Sequence, residues 1–222
     1  MAGYCNLLWV PDIHRHKSNR SNIESFWLSW VTRTCEALGA ECHTAAWSGF
    51  ALTHSHFCSK PVTMPQIWER TLATDGSPSR RWNFSTSRSA AGWQVPAAVI
   101  VNLGTNDWHG VPPPSSWGTP QMQRFLANFT TTYHQLVERI VQVYSSQTVI
   151  FIAVGPMTMG YLQPALWVVG NATRNGWRVQ LLNQSGFSHG DCGHPSWESD
   201  RQIAAAARAQ IGQALGWDLK VS

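Results

Sequence analysis

Continuous apolar runs alternate along this chain with segments in which apolar residues recur every three or four positions. The runs predict buried β-strands, and the periodic segments predict amphipathic helices. Strands are predicted at residues 42–47, 99–101, 148–154 and 179–182. Because strands and helices follow one another in turn, the pattern is typical of right-handed βαβ units. The expected fold class is therefore α/β, a three-layer sandwich around a parallel sheet.

The helix boundaries are predicted from capping residues. Ser21 and Glu24 have the spacing of a capping box, and Gly39 supplies the C-terminal stop of the same helix. Thr119 and Pro120 form an N-cap and first-turn pair that opens a second long helix. Further helices are predicted near residues 67–72, 162–169 and 197–215.

The chain shows no internal repeat and no linker, so residues 1–222 are expected to form a single domain. Residues 60–95 contain several prolines and a polar Ser/Arg tract. We expect this segment to be a long surface insertion, since long loops in a compact domain are usually functional or flexible.

Charge and hydropathy exclude two classes of partner. The net charge of +4 and the pI near 9.0 come from a sparse charge set, 13% of the residues, without a basic run. Nucleic-acid binding is therefore not predicted. No apolar stretch reaches the roughly 18–20 residues that a membrane span needs, so no membrane partner is expected and the protein is expected to be soluble.

The 13 tryptophans are unusual for this length. Most are explained by ordinary packing. Several lie in predicted loops, where an aromatic face could pack against a sugar ring at a cleft. These are Trp93, Trp108, Trp117 and Trp197.

Cysteine and asparagine patterns bear on the compartment. The five cysteines (5, 35, 42, 58 and 192) have neither C-x-x-C spacing nor a Cys/His metal pattern, and their odd number leaves at least one thiol free or paired intermolecularly. Asn-x-Ser/Thr triplets begin at positions 19, 83, 128, 171 and 183, which is compatible with a secreted glycoprotein. No signal peptide stands at the start of the sequence, so localisation stays open.

The strand at residues 99–101 leads into Gly104-Thr105-Asn106-Asp107. In an open α/β sheet, ligands bind at the carboxyl ends of the strands. An asparagine at that edge can direct its NH₂ donors at a developing oxyanion. The alternative interpretation is an ordinary polar turn. In either case we interpret Asp107 as a residue that stabilises the turn rather than as an acid.

A second candidate lies in the loop Gly190-Asp191-Cys192-Gly193-His194. A carboxylate that accepts the Nδ1–H of the imidazole leaves Nε2 free as a general base. The alternative is a surface Asp–His pair. Ser48 could be considered as a nucleophile, but we interpret it as a turn residue because no motif supports a catalytic role.

Together these segments resemble the SGNH (GDSL-like) hydrolase superfamily. Gly104 to Asp107 is similar to its Gly-x-Asn-Asp block, and Asp191 to His194 is similar to its Asp-x-x-His block. The resemblance is closest to the second carbohydrate esterase family, the acetyl-xylan-esterase-like branch. Its further motifs here are Ala37-Leu38-Gly39-Ala40-Glu41, Trp47-Ser48-Gly49 and Trp82-Asn83-Phe84-Ser85.

This resemblance implies a flavodoxin-like parallel sheet and a serine ester hydrolase. The substrate would be a small or polysaccharide acyl ester, above all an O-acetyl group on carbohydrate. His194 would act as the general base, oriented by Asp191, and Gly49 and Asn106 would form the oxyanion hole. No metal and no organic cofactor are implied, and the oligomeric state is unknown.

The family's nucleophile belongs to a Gly-Asp-Ser block, which this sequence lacks. Residues 2–5, Ala-Gly-Tyr-Cys, resemble the continuation of that block. We therefore expect the serine and the first, central strand to lie immediately upstream of Met1, and expect poor stability unless residues 7–10 occupy that strand position. The alternative functions are a catalytically inactive carbohydrate-binding homologue and a non-functional fragment.

Overall fold

The computed structural model describes residues 26–54, 62–72, 74–77, 81–82, 95–109, 111, 114–187 and 194–219. The described strands are β1 (Ala98–Val101), β2 (Val149–Val154) and β3 (Val179–Asn183). The described helices are α1 (Trp30–Leu38), α2 (Met64–Ile67), α3 (Thr105–Trp108), α4 (Pro120–Val143), α5 (Leu162–Arg174) and α6 (Trp197–Leu215). None of these helices combines the length and the apolar character that crossing a membrane requires.

The described strands form a parallel sheet in the order β1-β2-β3. β1 and β2 are in register, with Ala98 opposite Val149 and Val101 opposite Ile152. The predicted α/β class with a parallel sheet is confirmed. Residues 7–10, whose occupation of the first strand position was the condition for good stability, lie outside the described residues.

The contacts of the chain divide it into two units. The first unit contains residues 1–48, 155–159 and 182–222, and the second contains residues 49–154 and 160–181. The prediction of a single domain over residues 1–222 stays a prediction.

The core of the second unit lies around β2. All six residues of this strand are buried, as expected for a strand covered on both faces. α4 begins where its sequence predicts, because the Thr119 side chain accepts a hydrogen bond from the Met122 backbone N–H at 3.3 Å and Pro120 fits the first turn. α4 buries one face and packs against α5.

Part of the predicted surface insertion is anchored to this core. Within residues 62–72, Met64 and Ile67 are buried in α2, which lies N-terminal to the predicted helix at residues 67–72. The carboxylate of Glu69 accepts two hydrogen bonds from the Arg139 guanidinium of α4, at 2.7 and 3.1 Å. A bidentate pair of this kind fixes orientation as well as distance, so this part of the segment is not a loose loop.

The strand predicted at residues 42–47 is absent, and that prediction is wrong. These residues have no strand conformation, and all of them are exposed. A strand acquires its hydrogen bonds from a neighbouring strand, so apolar composition alone cannot produce one where no neighbour pairs with it. Cys42 instead forms a disulfide bond with Cys35 of α1.

The first helix begins later than predicted. Its N-cap is Ser29, whose side chain accepts a hydrogen bond from the Thr32 backbone N–H, while the predicted capping box at residues 21–24 lies outside the described residues. Trp27 is 74% exposed and does not belong to the buried face. The predicted stop is confirmed, because Gly39 adopts a left-handed conformation with φ of 62°.

In the first unit, α1 packs against α6, and the interface buries a carboxylate. Arg33 lies 5.1 Å from the ring centre of Trp197, and the Arg208 Nε donates to the Ala37 carbonyl at 2.9 Å. Asp200 in the first turns of α6 is completely buried. Burial raises the pKa of Asp200 to about 8, and the opposing effects of the Trp30 backbone and the Arg33 charge are weaker.

This shift predicts pH-dependent stability. Since the folded-state pKa lies above the unfolded value, the contribution of Asp200 to the free energy of unfolding is greatest below about pH 4 and falls as the pH rises towards 8, by up to about 1.4 kcal/mol per pH unit. Asp200→Asn is expected to flatten this dependence, measured by urea unfolding between pH 5 and 8. The exposed Asp218→Asn serves as the control, and an equally steep pH dependence in both variants would contradict the assignment.

Candidate active site

The Gly-Thr-Asn-Asp segment forms a tight turn of helix directly after β1. Gly104 is the N-cap of α3, with φ of 124°, and its carbonyl accepts a hydrogen bond from the Trp108 backbone N–H at 2.9 Å. A Cβ at Gly104 would lie 2.8 Å from ring carbons of Tyr161. Only glycine therefore allows the chain to turn this closely over the Tyr161 ring. The turn brings Asn106 and Asp107 to the carboxyl end of β1.

Gly104→Ala is expected to lower the free energy of unfolding by about 2–4 kcal/mol, because it combines an unfavourable backbone conformation with overlap against Tyr161. The midpoint of urea unfolding measures the loss. The matched control is Gly118→Ala, where a Cβ would meet no atom within 4 Å. Equal midpoints for the two variants would contradict the steric explanation.

The amide of Asn106 is held by a hydrogen bond to the loop that follows Gly49. Its Nδ2 donates to the Phe50 carbonyl at 2.8 Å. This contact fixes the orientation of the amide, since an Oδ1 in the same place would face another acceptor. The contact with Phe50 uses one of the two hydrogens on Nδ2, and the Asn106 side chain is half-buried. Gly49 precedes Phe50 and adopts φ of 77°, so the two predicted oxyanion residues belong to neighbouring parts of one unit.

Asp107 makes long-range contacts that the sequence interpretation missed. It is completely buried. Its carboxylate accepts hydrogen bonds from the backbone N–H groups of Leu52 at 2.8 Å, Thr53 at 2.7 Å and His54 at 3.1 Å. The Thr53 hydroxyl donates a fourth bond at 2.7 Å. Asp107 therefore fastens a loop that lies 53 to 55 residues earlier in the chain, which no local pattern reveals.

Aromatic side chains support the α3 turn from within. Trp108 is 4% exposed, and its ring lies 5.4 Å from Trp117, 5.2 Å from Phe125 and 5.6 Å from Phe129. The prediction that Trp108 lines a sugar-binding rim is therefore wrong, since the tilted and edge-on ring contacts place it in the core.

The other rim candidates have different surroundings. Trp197 is 45% exposed and carries the Arg33 guanidinium over its ring. Trp117 is half-buried, and Trp93 lies outside the described residues. Sugar contact by Trp117 or Trp197 stays a prediction.

His194 lies in the first unit, two residues before Ser196, the N-cap of α6. The Ser196 hydroxyl accepts from the Ser199 backbone N–H at 3.2 Å, so the helix start fixes the chain just after the histidine. His194 is half-buried, and Asp191 lies outside the described residues. The predicted pairing of these two residues and their convergence with Asn106 stay predictions. In the described part of the chain, no three His, Cys, Asp or Glu side chains form a group that could hold a metal ion.

Comparison with known proteins places these features in a family context. No protein-family model matches the chain. A curated relative, the cellulase/esterase CelE of Acetivibrio thermocellus, is 28% identical over an alignment of 207 residues, and the alignment covers 87% of this chain. The chain spans 22% of the length of that relative.

Two solved structures give the class of fold. A family two carbohydrate esterase from Clostridium thermocellum, in complex with cellohexaose, superposes with a TM-score of 0.70 at 28% identity, covering 89% of this chain and 57% of the other. A family two enzyme with a carbohydrate-binding domain from Corynascus thermopiles (Myceliophthora fergusii) gives a TM-score of 0.66 at 25% identity, covering 88% of this chain and 59% of the other. The architecture is thus the SGNH-like α/β/α fold. The chain is homologous to the family two carbohydrate esterases, as the resemblance implied.

Proposed function

We propose that this chain provides the oxyanion hole and the general base of a serine ester hydrolase that removes O-acyl groups, chiefly O-acetyl groups, from carbohydrates or small esters. The observation that carries the proposal is the contact between the Asn106 amide and the Phe50 carbonyl. It couples the turn after β1 to the loop after Gly49, and it orients a donor at the strand edge where α/β enzymes bind their ligands.

The proposed reaction follows the pattern of acyl transfer. A serine hydroxyl attacks the ester carbonyl while His194 accepts its proton, and His194 then returns that proton to the departing alcohol. Asp191 would orient the imidazole. The Gly49 N–H, the second N–H of Asn106 and the serine's own N–H would donate to the oxyanion. Water then attacks the acyl-serine while His194 accepts its proton, and His194 returns that proton to the serine oxygen as the bond to the acyl group breaks and the acid is released.

Asp107 supports this arrangement as a positioning residue. Its four hydrogen bonds hold residues 52–54, which follow directly on Gly49 and Phe50. Because Asp107 and Asn106 are adjacent in α3, the same turn holds the loop from two points. A carboxylate that accepts hydrogen bonds from three backbone N–H groups holds the loop rigidly. This rigidity supports the proposed role of the adjacent Gly49 N–H, since an oxyanion donor must be placed within about 0.5 Å.

These 222 residues contain no Gly-Asp-Ser, so the proposal assigns the nucleophile to none of their serines. The carbohydrate part of the proposal rests on the named activities of the homologues and on the cellohexaose held by the Clostridium thermocellum enzyme.

The second candidate function is carbohydrate binding without turnover. The observation in its favour is the exposure of tryptophan side chains, with Trp82 39% and Trp167 51% exposed in the second unit. An exposed indole face can stack on a pyranose ring without any catalytic group nearby.

Hydrolysis of p-nitrophenyl acetate and acetylated xylan separates these possibilities. The assay compares the 222-residue chain with a form extended upstream in its reading frame, and calorimetry with cello- and xylo-oligosaccharides measures binding in parallel. Turnover only in the extended form supports the proposed hydrolase. Oligosaccharide binding without turnover in either form supports the binding function. No turnover, no binding and no cooperative unfolding would identify a non-functional fragment and overturn both functions.

A further inference from the structure

The asparagines of this chain are unusually often followed by the acceptor pattern for N-linked glycans. Five of the ten asparagines begin an Asn-x-Ser/Thr triplet, while Ser and Thr occupy only 37 of the 222 positions. By chance, about one asparagine in six would begin such a triplet. The excess suggests a use for some of them, and the structure describes the triplets at Asn128, Asn171 and Asn183.

Asn183 has the surroundings of an acceptor. It is the last residue of β3, and its Oδ1 accepts a hydrogen bond from the Ser185 backbone N–H at 2.9 Å, which forms an Asx turn. Asn183 and Ser185 are both exposed, whereas Gln184 between them is 1% exposed and holds the turn to the protein. A glycan on the Asn183 Nδ2 would displace no buried side chain.

Asn128 and Asn171 both lie within helices but differ in their surroundings. Asn128 is exposed on α4, and the next residue, Phe129, is completely buried, so the asparagine faces away from the core. The Asn171 Nδ2 instead lies 3.3 Å from Nδ1 and 3.4 Å from Nε2 of His134. The ring of His134 is itself stacked on Trp177 at 5.2 Å. A sugar on Asn171 would have to occupy the volume of these rings.

The disulfide bond between Cys35 and Cys42 is an independent observation that also points to a secretory compartment. Structural disulfides form and persist in oxidising compartments such as the lumen of the endoplasmic reticulum and the cell exterior. N-linked glycans are attached to the asparagine of Asn-x-Ser/Thr triplets in proteins that pass through the endoplasmic reticulum.

We infer that this chain matures in a secretory compartment and carries N-linked glycans at Asn183 and Asn128, while Asn171 stays unmodified. The co-reactant is a lipid-pyrophosphate-linked oligosaccharide. The amide Nδ2 forms a bond to C1 of the first sugar and loses a proton, and the bond from C1 to the pyrophosphate oxygen breaks, which releases the lipid pyrophosphate. The inference does not depend on the proposed esterase activity.

Secretion of the full chain from yeast, with Asn19 and Asn83 replaced by glutamine, leaves the three described triplets as the only acceptors. Enzymatic deglycosylation in ¹⁸O-labelled water followed by peptide mass spectrometry measures occupancy at each site. We expect two glycans, with Asn183→Gln and Asn128→Gln each removing one and Asn171→Gln removing none.

Two further variants distinguish the loss of a glycan acceptor from misfolding of the protein. Ser185→Ala should abolish the glycan at Asn183 without altering the asparagine, and Ser185→Thr should retain it. Secreted, cooperatively folded protein with Asn183 or Asn128 empty, or with Asn171 occupied, would overturn the assignment. Free thiols at both Cys35 and Cys42 in the secreted protein would overturn the inferred route.

Discussion

Asn106→Ala is expected to lower kcat for p-nitrophenyl acetate hydrolysis by about 10²–10³-fold in the upstream-extended form, with little change in KM. The negative charge on the carbonyl oxygen develops only in the transition state, so the missing donor is felt there and not in substrate binding. The hydrogen bond to Phe50 makes this residue a preorganised donor, because its amide does not need to be oriented during the reaction.

The matched control for this prediction is Asn175→Ala, which removes an exposed amide at the C-terminal end of α5 in the same unit. Its kcat and KM are expected to equal those of the parent. Urea unfolding of both variants separates a catalytic loss from a folding loss. If Asn106→Ala retained the parent kcat in a folded, active enzyme, Asn106 would not be an oxyanion donor.

Asp107→Ala is expected to lower the free energy of unfolding by on the order of 4 kcal/mol. The substitution leaves the N–H groups of buried Leu52 and half-buried Thr53 without their acceptor, and each such loss costs about 1–3 kcal/mol. Asp107→Asn keeps the shape but turns one acceptor into a donor that faces other donors, so we expect a smaller loss of about 2 kcal/mol.

Urea unfolding measures both Asp107 variants, with Asp218→Asn as an exposed control that is expected to unfold at the parent midpoint. Under conditions where the Asp107→Asn variant stays folded in the extended form, kcat should fall while KM changes little, because the loop beside Gly49 is less firmly placed. Parent-like stability for Asp107→Ala would show that the loop is held by other contacts.

Several elements were predictable because their causes are local. β2 is a continuous apolar run, and a strand buried on both faces has that composition. The start of α4 depends on Thr119 and Pro120, which are neighbours of the turn that they stabilise. The stop of α1 depends on Gly39, whose left-handed conformation is open to glycine at little cost.

Other predictions failed where the deciding partner was distant. Residues 42–47 have apolar composition, but a strand also needs a paired neighbour, and the described structure shows no strand there. Trp108 stands in a polar, proline-rich stretch and still enters the core, because α4 presents Phe125 and Phe129 to it. Side-chain burial of this kind depends on which elements pack together.

The sequence by itself determined the α/β class, the positions of β1, β2 and β3, and the caps at Thr119 and Gly39, since each depends on residues that are close along the chain. It also identified Asn106 and His194 as candidates, because their motifs are short. Only the tertiary structure decided how Asn106 is oriented and what Asp107 holds. Their partners at residues 50–54 lie more than fifty positions away, and hydrogen bonds across such separations follow from folding rather than from local sequence.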